Sequence, residues 1–242
     1  MNTLLRATNL IENNASKTTA REIINLIRDI QDHAPGLHLE FEQDFAQFLT
    51  VIQENPDREE LSPMFDPRYC SVGTDNGFWL KGVNEEGNIV HLQAIRFNDL
   101  KQKTLSQHWE EHSMLYRPPG IQPDFKKTVF DSAPASHLIT GKVCYHGELW
   151  MHKDFRGLHI ASRLANLAML LARVRFDPDF IYCLISPDVV RTGLSVRHGY
   201  LHMHPHGIQW HVQSEAEVHK EYLVWMTAEE LDQLMLRPTV VC

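Results

Sequence analysis

The stretch Met151-His-Lys-Asp-Phe-Arg-Gly-Leu-His-Ile-Ala161 decides the fold of this chain. Residues 142–151 before it have the composition of a strand, and residues 158–175 carry the strongest helical pattern in the sequence. A short turn between a strand and a helix directs unpaired N–H groups and the positive end of the helix dipole to one point. That point suits phosphate or pyrophosphate, and Gly157 lets a ligand come close to the backbone. An ordinary loop that binds nothing is the alternative interpretation.

The elements on both sides of this junction alternate between strand and helix. Two β-like runs around a turn cluster, residues 77–83 and 89–97, predict a hairpin upstream. Downstream, a buried-type strand over residues 180–185 precedes a short helix, from about residue 190 to His198. This helix ends at Gly199, a residue suited to a helix C-cap.

The remaining predicted elements are a helix over about residues 100–114, a proline-rich loop over 116–136, a strand over 222–226 and a last helix from 227 to about 236. The last helix opens with the capping box Thr227-Ala-Glu-Glu230.

The first 60 residues have helical patterns only. A capping box at Thr19 and Glu22 predicts the start of a helix. Two apolar stripes at helical spacing follow it: Ile23, Ile27 and Ile30, then Phe41, Phe45, Phe48 and Ile52. A charged linker places the boundary between a helical N-terminal segment, residues 1–62, and a larger domain, residues 63–242. Such stripes usually pack in a core, and the alternatives are a cover for a binding site or a homodimer surface.

Charge and composition narrow the class of protein. Lys and Arg number 23 against 31 Asp and Glu, so the net charge is −8, which disfavours binding to nucleic acid and to anionic membranes. No apolar run reaches the roughly 18 residues that a membrane span needs, and the start lacks the apolar region of a secretory signal. The 4 cysteines show no CxxC spacing, so we expect free thiols in a reducing compartment and a cytoplasmic protein.

The junction resembles the signature of the GCN5-related N-acetyltransferase (GNAT) family, in which a strand leads to the turn R/Q-x-x-G-x-G/A at the start of a helix. Arg156 occupies the first position of that turn and Ala161 the last, whereas His159 replaces the middle glycine. Residues 189–200, which end in Gly199-Tyr200, resemble the family's second signature, a strand and then a helix ending in a glycine-aromatic pair. The resemblance is clear over residues 142–200.

The resemblance implies an α+β chain with a GNAT-like acyl-CoA N-acyltransferase fold: a central mixed, mostly antiparallel sheet flanked by helices, with an extra helical N-terminal segment. It also implies that the turn grips the pyrophosphate of acetyl-CoA, the acyl-donor substrate, and that a backbone N–H near the end of the strand polarises the thioester. The residues implied in acetyl-CoA binding are Met151, Arg156, Gly157, Leu158, His159, Ile160 and Ala161. The imidazole of His159 either crowds the pyrophosphate or donates a hydrogen bond to it.

Direct acyl transfer from a thioester needs a neutral amine and a proton for the leaving thiolate. Glu148 is the only carboxylate in the strand run 142–151, which makes it a candidate base, and a solvated edge glutamate is the alternative. Tyr145 and His146 are further candidates on the same strand, on opposite faces by alternation unless a bulge intervenes. The tyrosine that is the family's frequent general acid is replaced here by Ser195, which is too weak an acid but can bind a water.

Histidines number 15, and five of them lie within residues 198–211. His202, His204 and His206 would share one face of a strand, a pattern that metal sites use. A proline and a glycine interrupt that strand, and the cluster holds no carboxylate or cysteine. We therefore expect a polar loop beside the acyl-CoA cleft and no metal site, together with a stability that depends on pH near neutrality.

The sequence thus predicts an N-acetyltransferase that moves an acetyl or other acyl group from its CoA thioester directly to the amine of a small molecule or peptide. The alternative is a catalytically inactive acyl-CoA-binding or scaffold protein with the same fold, which the replacements at His159 and Ser195 favour. A metal-binding protein without a role for CoA is the third interpretation. We expect neither nucleic acid nor membrane as a partner, and the question of a homodimer stays open.

Overall fold

The computed structural model describes residues 17–58, 60–212 and 218–235, which form a single sheet with helices on both faces. The strands are β1 (His38–Glu42), β2 (Gly77–Val83), β3 (Ile89–Asp99), β4 (Lys142–Met151), β5 (Phe180–Ile185), β6 (His202–His211) and β7 (Val218–Thr227). The α-helices are α1 (Lys17–His33), α2 (Phe45–Glu54), α3 (Leu105–Glu111), α4 (Ser113–Tyr116), α5 (Ala161–Phe176), α6 (Pro187–Arg191), α7 (Leu194–Arg197) and α8 (Ala228–Met235).

Within the described residues, the sheet has seven strands in the order β1-β2-β3-β4-β5-β7-β6. Every neighbouring pair is antiparallel except β4 and β5, which run parallel. The predicted mixed, mostly antiparallel sheet flanked by helices is therefore confirmed. The bounds predicted for β4 and β5 agree with those observed.

The parallel pair holds together at one end only. Ladder pairing joins β4 to β5 from Val143 opposite Phe180 to Tyr145 opposite Tyr182. Beyond Tyr145 no further pair joins the two strands in the described part of the chain, so they diverge. A cleft therefore opens between them towards their C-terminal ends, where β4 leads into the turn before α5.

A bulge on the other edge of β4 lies beside this cleft. Glu148 and Leu149 together stand opposite the single residue Gln93 of β3. Glu148 has a φ of +56°, in the left-handed region, as one residue of a bulge often does. The extra residue shifts the alternation, so side chains before and after the bulge follow different phases.

Two apolar cores stabilise the sheet, one on each face. The α5 face carries α1, α5 and α8, which bury residues such as Ile30, Leu167 and Leu231. The α2 face carries α2 and α3 with the loops around them, which bury residues such as Phe48 and Trp109. Because both faces are covered, the sheet is accessible mainly at its edges and through the cleft between β4 and β5.

The N-terminal segment contributes a strand as well as helices. Phe41 lies in β1, where it pairs with Leu80 of β2, so the prediction of one helical stripe from Phe41 to Ile52 is wrong. The carboxylate of Asp44 accepts hydrogen bonds from the backbone N–H groups of Ala46 and Gln47 and so caps α2. A cap at this point starts the helix after Phe41 and leaves the residues before it extended. The domain boundary at residue 62 stays a prediction.

The long helix α5 follows the predicted pattern closely. It ends at Asp177, which takes a φ of +46° and so stops the helix with a left-handed residue. The short helix predicted from about residue 190 to His198 is in fact divided into α6 and α7. Gly193 separates them with a φ of +67°, a conformation that glycine adopts without strain.

The histidine-rich segment forms a strand, so the prediction of a loop there is wrong. Residues 202–211 are β6, at the edge of the sheet, paired with β7. The register between the two strands shifts between His204 and Ile208. Pro205 and Gly207 lie within this irregular part, so they disturb the ladder without ending the strand.

Candidate functional site

The turn between β4 and α5 leaves backbone donors free. None of the described residues accepts a hydrogen bond from the N–H groups of Gly157, His159 or Ile160. Ile160 is the N-cap of α5 and provides no side-chain cap, and its own side chain is buried at 1% exposure. The buried isoleucine therefore anchors a turn whose exposed residues, 157–159, present N–H groups and the positive helix end to solvent.

Arg156 in the turn and Arg163 in the first turn of α5 have different roles. Arg156 is exposed, and its Nε donates to the carbonyl of Met151, the buried last residue of β4, at 3.0 Å. The terminal nitrogens of Arg156 bond no described residue, so they stay available beside the turn. Arg163 instead pairs with Asp29 of α1 and donates to the carbonyl of His159. Arg163 therefore ties the N-terminal helix to the turn rather than offering its charge to a ligand.

His159 adopts a left-handed backbone conformation. Its φ is +57°, and that of Gly157 is +86°. Histidine is among the residues found more often in the left-handed region, whereas β-branched residues avoid it. His159 therefore fits this turn and places an exposed imidazole beside the free N–H groups. Leu158, between the two, is 37% exposed, and Ala161 begins α5.

A cavity of about 280 Å³ occupies the cleft between β4 and β5. Tyr200 in its lining belongs to the core of the α5 face, whereas Tyr116 and Leu184 belong to the core of the α2 face. Residues from both faces of the sheet therefore line the cavity. This is possible because β4 and β5 diverge there. Glu148 and Ser195 both line it, so the fold brings these two candidate residues to one place.

The carboxylate of Glu148 is already occupied. Arg58 donates to its Oε2, and the backbone N–H of Ser62 donates to its Oε1 at 3.2 Å. The side chains of Arg58 and Glu148 are 13% and 5% exposed, so this is a nearly buried ion pair. It joins the bulge of β4 to the segment that follows α2. The sequence offers no local signal for this contact, because the partners lie 90 positions apart.

Glu221 of β7 is a second carboxylate of the cavity, and sequence reasoning missed it. It is half-buried, and Trp210 Nε1 donates to its Oε2 at 2.7 Å. Burial raises the pKa of Glu221 to about 7, and the bond from Trp210 only partly offsets that rise. Glu221 is a lone acidic residue in a run with strand composition, and this signal could have found it. The sequence does not show which way its side chain points, because that depends on the register of β6 and β7.

A buried chain of hydrogen bonds lies on the α5 face of the cavity. Gln93 Nε2 donates to the carbonyl of Leu164 at 2.7 Å, which leaves Gln93 Oε1 to accept from His146 Nε2 at 2.9 Å. His146 Nδ1 therefore accepts from the hydroxyl of Tyr200, at 3.1 Å. Burial lowers the pKa of His146 to about 3, so the ring is neutral at physiological pH. Tyr200 thus lines the cavity as a fixed hydroxyl as well as packing in the core.

Two other histidines beside this chain are buried, and each has an Nε2 atom without a hydrogen-bond partner among the described residues. His198 lines the cavity at 5% exposure, and its Nε2 bonds no described residue. His91 is 1% exposed, its Nδ1 donates to the carbonyl of Trp150 at 2.8 Å, and its Nε2 is likewise unpartnered. Burial lowers the pKa of each to about 4. The hydroxyl of Ser195, three residues before His198, bonds no described residue.

The described residues hold no cluster of three or more His, Cys, Asp or Glu side chains arranged to bind a metal ion. In the histidine-rich strand, His202 instead bonds Glu230 at 2.7 Å and stacks on Trp225. Cys70, Cys144 and Cys183 are free thiols. Among the described helices, none combines the length and the apolar character that crossing a bilayer requires.

Comparisons with known proteins found likeness in structure alone. No protein-family model matches the chain, and the search of curated proteins gave no match. Among solved structures, Arabidopsis thaliana NAA60 in complex with acetyl-CoA aligns at a TM-score of 0.48 and 11% identity, over 80% of this chain and 99% of that one. A chimera of the Vibrio cholerae spermidine N-acetyltransferase SpeG and hSSAT aligns at 0.46 and 9%, over 84% and 99%. A polyamine N-acetyltransferase from Drosophila melanogaster aligns at 0.46 and 13%, over 78% and 100%.

Proposed function

We propose that this chain is a divergent member of the GNAT family that transfers an acetyl group from acetyl-CoA directly to an amine. The observation that carries the proposal is the position of the turn. Its free N–H groups and exposed Arg156 follow directly from the end of β4, the strand that forms one wall of the two-sided cavity. A pyrophosphate on the turn would let the thioester arm of the same donor extend into the cleft.

The donor contacts in this proposal come mostly from the backbone. The N–H groups of residues 157–160 and the start of α5 at Ala161 bind the pyrophosphate, and Arg156 adds a positive charge. His159 donates a further hydrogen bond from its exposed ring. Backbone N–H groups of β4 that point to the cleft, near Met151, polarise the thioester carbonyl because β5 no longer pairs with them there.

The chemistry is a single transfer without a covalent enzyme intermediate. A neutral amine attacks the thioester carbon from the α2 face, and the thiolate leaves on the α5 face and takes up a proton. Ser195 holds a water for that proton, and the hydroxyl of Tyr200 lies in the same lining. Because Glu148 is paired with Arg58, we assign to Glu148 the role of positioning the segment above the cleft. Glu148 could act directly as a base only if that ion pair opened.

Calorimetry with acetyl-CoA and with free CoA tests the donor site. We expect micromolar binding to the wild-type chain and a loss of at least about tenfold in Arg156→Glu, since the reversed charge repels the pyrophosphate. Lys126→Glu, a charge reversal at an exposed loop position, is the matched control and should bind like the wild type. Equal binding by Arg156→Glu would show that the pyrophosphate does not bind at this turn.

Release of free thiol from acetyl-CoA, measured with and without added amines, tests the reaction. Amine-dependent release supports the transferase. Binding of acetyl-CoA without release above the solvent rate would instead support the alternative, an acyl-CoA-binding or scaffold protein with this fold. If neither acetyl-CoA nor CoA binds at millimolar concentration, both readings fail together, because each of them places CoA on the turn.

A further inference from the structure

We propose that Glu221 binds the ammonium group of the acceptor and takes up its proton, and that the acceptor is a small primary monoamine with an apolar body. The inference rests on the proposed transfer reaction and names its base and its substrate class. Glu221 lies in β7 opposite Ile208, at the irregular part of β6, and it lines the cavity from the α2 face.

The carboxylate of Glu221 is held at one oxygen and open at the other. Trp210 is fully buried and donates to Oε2, so it fixes the orientation of the carboxylate. No described residue donates to Oε1. A carboxylate oriented in this way presents one fixed acceptor to a ligand in the cavity, and no reorganisation is needed when the ligand arrives.

Glu221 is also the carboxylate of the cavity that lacks a cation. Glu148 is paired with Arg58, whereas no described Lys, Arg or His forms an ion pair with Glu221. Arg117, the arginine of the lining, donates to the carbonyl of Ile121 at 3.2 Å. A partly buried carboxylate without a partner gains from a cation that enters the cavity, because the two charges replace each other's lost solvation.

The rest of the lining sets the size and the character of the acceptor. The side chains on the α2 face are mainly apolar or aromatic: Met64, Leu115, Tyr116, Pro118, Pro119 and Leu184. The cavity of about 280 Å³ is slightly smaller than most ligand sites, and it must also admit the thioester. A second ammonium group would meet this apolar wall without a free carboxylate, so a monoamine fits and a polyamine does not.

The proton and the electron pairs balance in two steps. The ammonium group first gives one proton to the carboxylate of Glu221, which leaves a neutral amine with a free lone pair. The amine nitrogen then forms a bond to the thioester carbon as the carbon–sulfur bond breaks. The nitrogen loses a second proton, the thiolate gains one and becomes free CoA thiol, and Glu221 releases its proton to solvent.

The titration of Glu221 suits this role. Burial raises its pKa to about 7, so near neutral pH it both accepts and releases a proton. Tyr145 of β4 and Cys183 of β5 lie close enough to sense the charges of Glu221 and Glu148. Burial raises the pKa of both groups strongly, so they remain protonated and add no charge. Glu148 stays bound to Arg58.

The test compares Glu221→Gln with the wild-type chain in the thiol-release assay, with 2-phenylethylamine as the monoamine and spermidine as the polyamine. The amide keeps the shape and the bond from Trp210 but accepts no proton. We expect kcat/KM for 2-phenylethylamine to fall about 100-fold or more, while the KM for acetyl-CoA stays within twofold. The wild-type rate should rise towards pH 8, and Glu221→Gln should lack the part of this rise that is centred near pH 7. Glu86→Gln, an exposed turn position, is the matched control.

The outcomes distinguish a failure of the role of Glu221 from a failure of the proposed transferase function. Amine-dependent release that Glu221→Gln retains with an unchanged pH profile would overturn the role of Glu221 and leave the transferase intact. Spermidine as the better substrate would overturn the monoamine class. If the wild type releases no thiol, the ammonium site is tested by calorimetry, in which 2-phenylethylamine is titrated into the CoA-loaded chain. If CoA does not bind, the amine is titrated into the free chain. Binding that Glu221→Gln abolishes supports the ammonium site, and absence of binding to the wild type refutes it.

Discussion

Moderate acid should destabilise this protein strongly, because four histidines among the described residues are buried or half-buried in neutral form, three of them beside the cleft. Burial lowers the pKa of His91, of His198 and of His108 in α3 to about 4 and that of His146 to about 3. In the unfolded chain each would titrate near 6.5. Each folded-state pKa lies below the unfolded one, so the unfolded state binds more protons between these values. The free energy of unfolding is therefore undiminished above about pH 6.5 and falls as the pH drops towards 4.

The magnitude follows from the two pKa values. For one such histidine, a change from pH 7.5 to pH 5 lowers the free energy of unfolding by about 2 kcal/mol, or about 8 kcal/mol for four. Glu221 acts in the opposite direction. Its folded-state pKa of about 7 is raised, so its penalty is absent below its ordinary value near 4.5 and grows as the pH rises towards 7. Acidification to pH 5 therefore returns about 2 kcal/mol, and the net loss is about 6 kcal/mol.

A loss of this size is a large part of the roughly 5–15 kcal/mol by which most domains are stable. Urea unfolding followed by tryptophan fluorescence from pH 5 to 7.5 measures it. Near pH 5.5 the four histidines take up about 3.5 protons on unfolding and Glu221 releases about one. The slope should therefore be about 2.7 protons, or ~3.6 kcal/mol per pH unit.

A single substitution isolates one histidine from the others. His91→Asn keeps an N–H donor for the carbonyl of Trp150 but cannot titrate, so it should reduce the slope to about two thirds of the wild-type value. His38→Asn removes an exposed imidazole and is the matched control, with an unchanged slope. A free energy of unfolding that is constant within about 1 kcal/mol from pH 7.5 to 5, or an unchanged slope in His91→Asn, would refute the reasoning.

Two further sets of variants test the site. His159→Gly should bind acetyl-CoA about fivefold more weakly than the wild type, because it keeps the turn but loses the hydrogen bond of the ring. His159→Val should bind at least about tenfold more weakly than His159→Gly by calorimetry, because a β-branched residue disfavours a φ of +57°. Equal binding of the two variants would show that the turn conformation does not control donor binding. Arg58→Met should lower the free energy of unfolding by about 3–5 kcal/mol in urea, because it leaves Glu148 buried without its partner. The double variant Arg58→Met/Glu148→Leu should lose less, and a larger loss in the double variant would contradict this account.

The elements with long periodic patterns were predictable from the sequence. β4, β5 and α5 lie close to their predicted bounds because an apolar strand run, a turn glycine and a long helical stripe each carry a local signal. Phe41 was misassigned because it stands four residues before Phe45, which is helical spacing. Only the cap at Asp44 separates the edge strand from the helix, and pairing with β2 is a tertiary contact that periodicity does not report.

The turn that we propose to bind the donor was predictable from the sequence, whereas the cavity wall that we propose to bind the acceptor was not. The turn from Arg156 to Ala161 is contiguous in the chain, so a short motif can describe it. Glu221 enters the cavity through the pairing of β7 with β6 and β5, and Glu148 is held by a residue 90 positions away. Contacts of this kind depend on register, and a shift of one residue would turn every side chain to the other face.

The bulge in β4 explains how one strand lines the cavity from both faces of the sheet. In a regular strand His146 and Glu148 would share a face. Instead, His146 reaches Gln93 and Tyr200 on the α5 face, whereas Glu148, with its φ of +56°, reaches Arg58 and the segment after α2. The same region has lost its ladder to β5, so its free backbone groups and its two faces meet in a single cavity. In the reaction that we propose, a donor on the α5 face and an acceptor on the α2 face therefore meet in the cleft between β4 and β5, and neither one displaces the other.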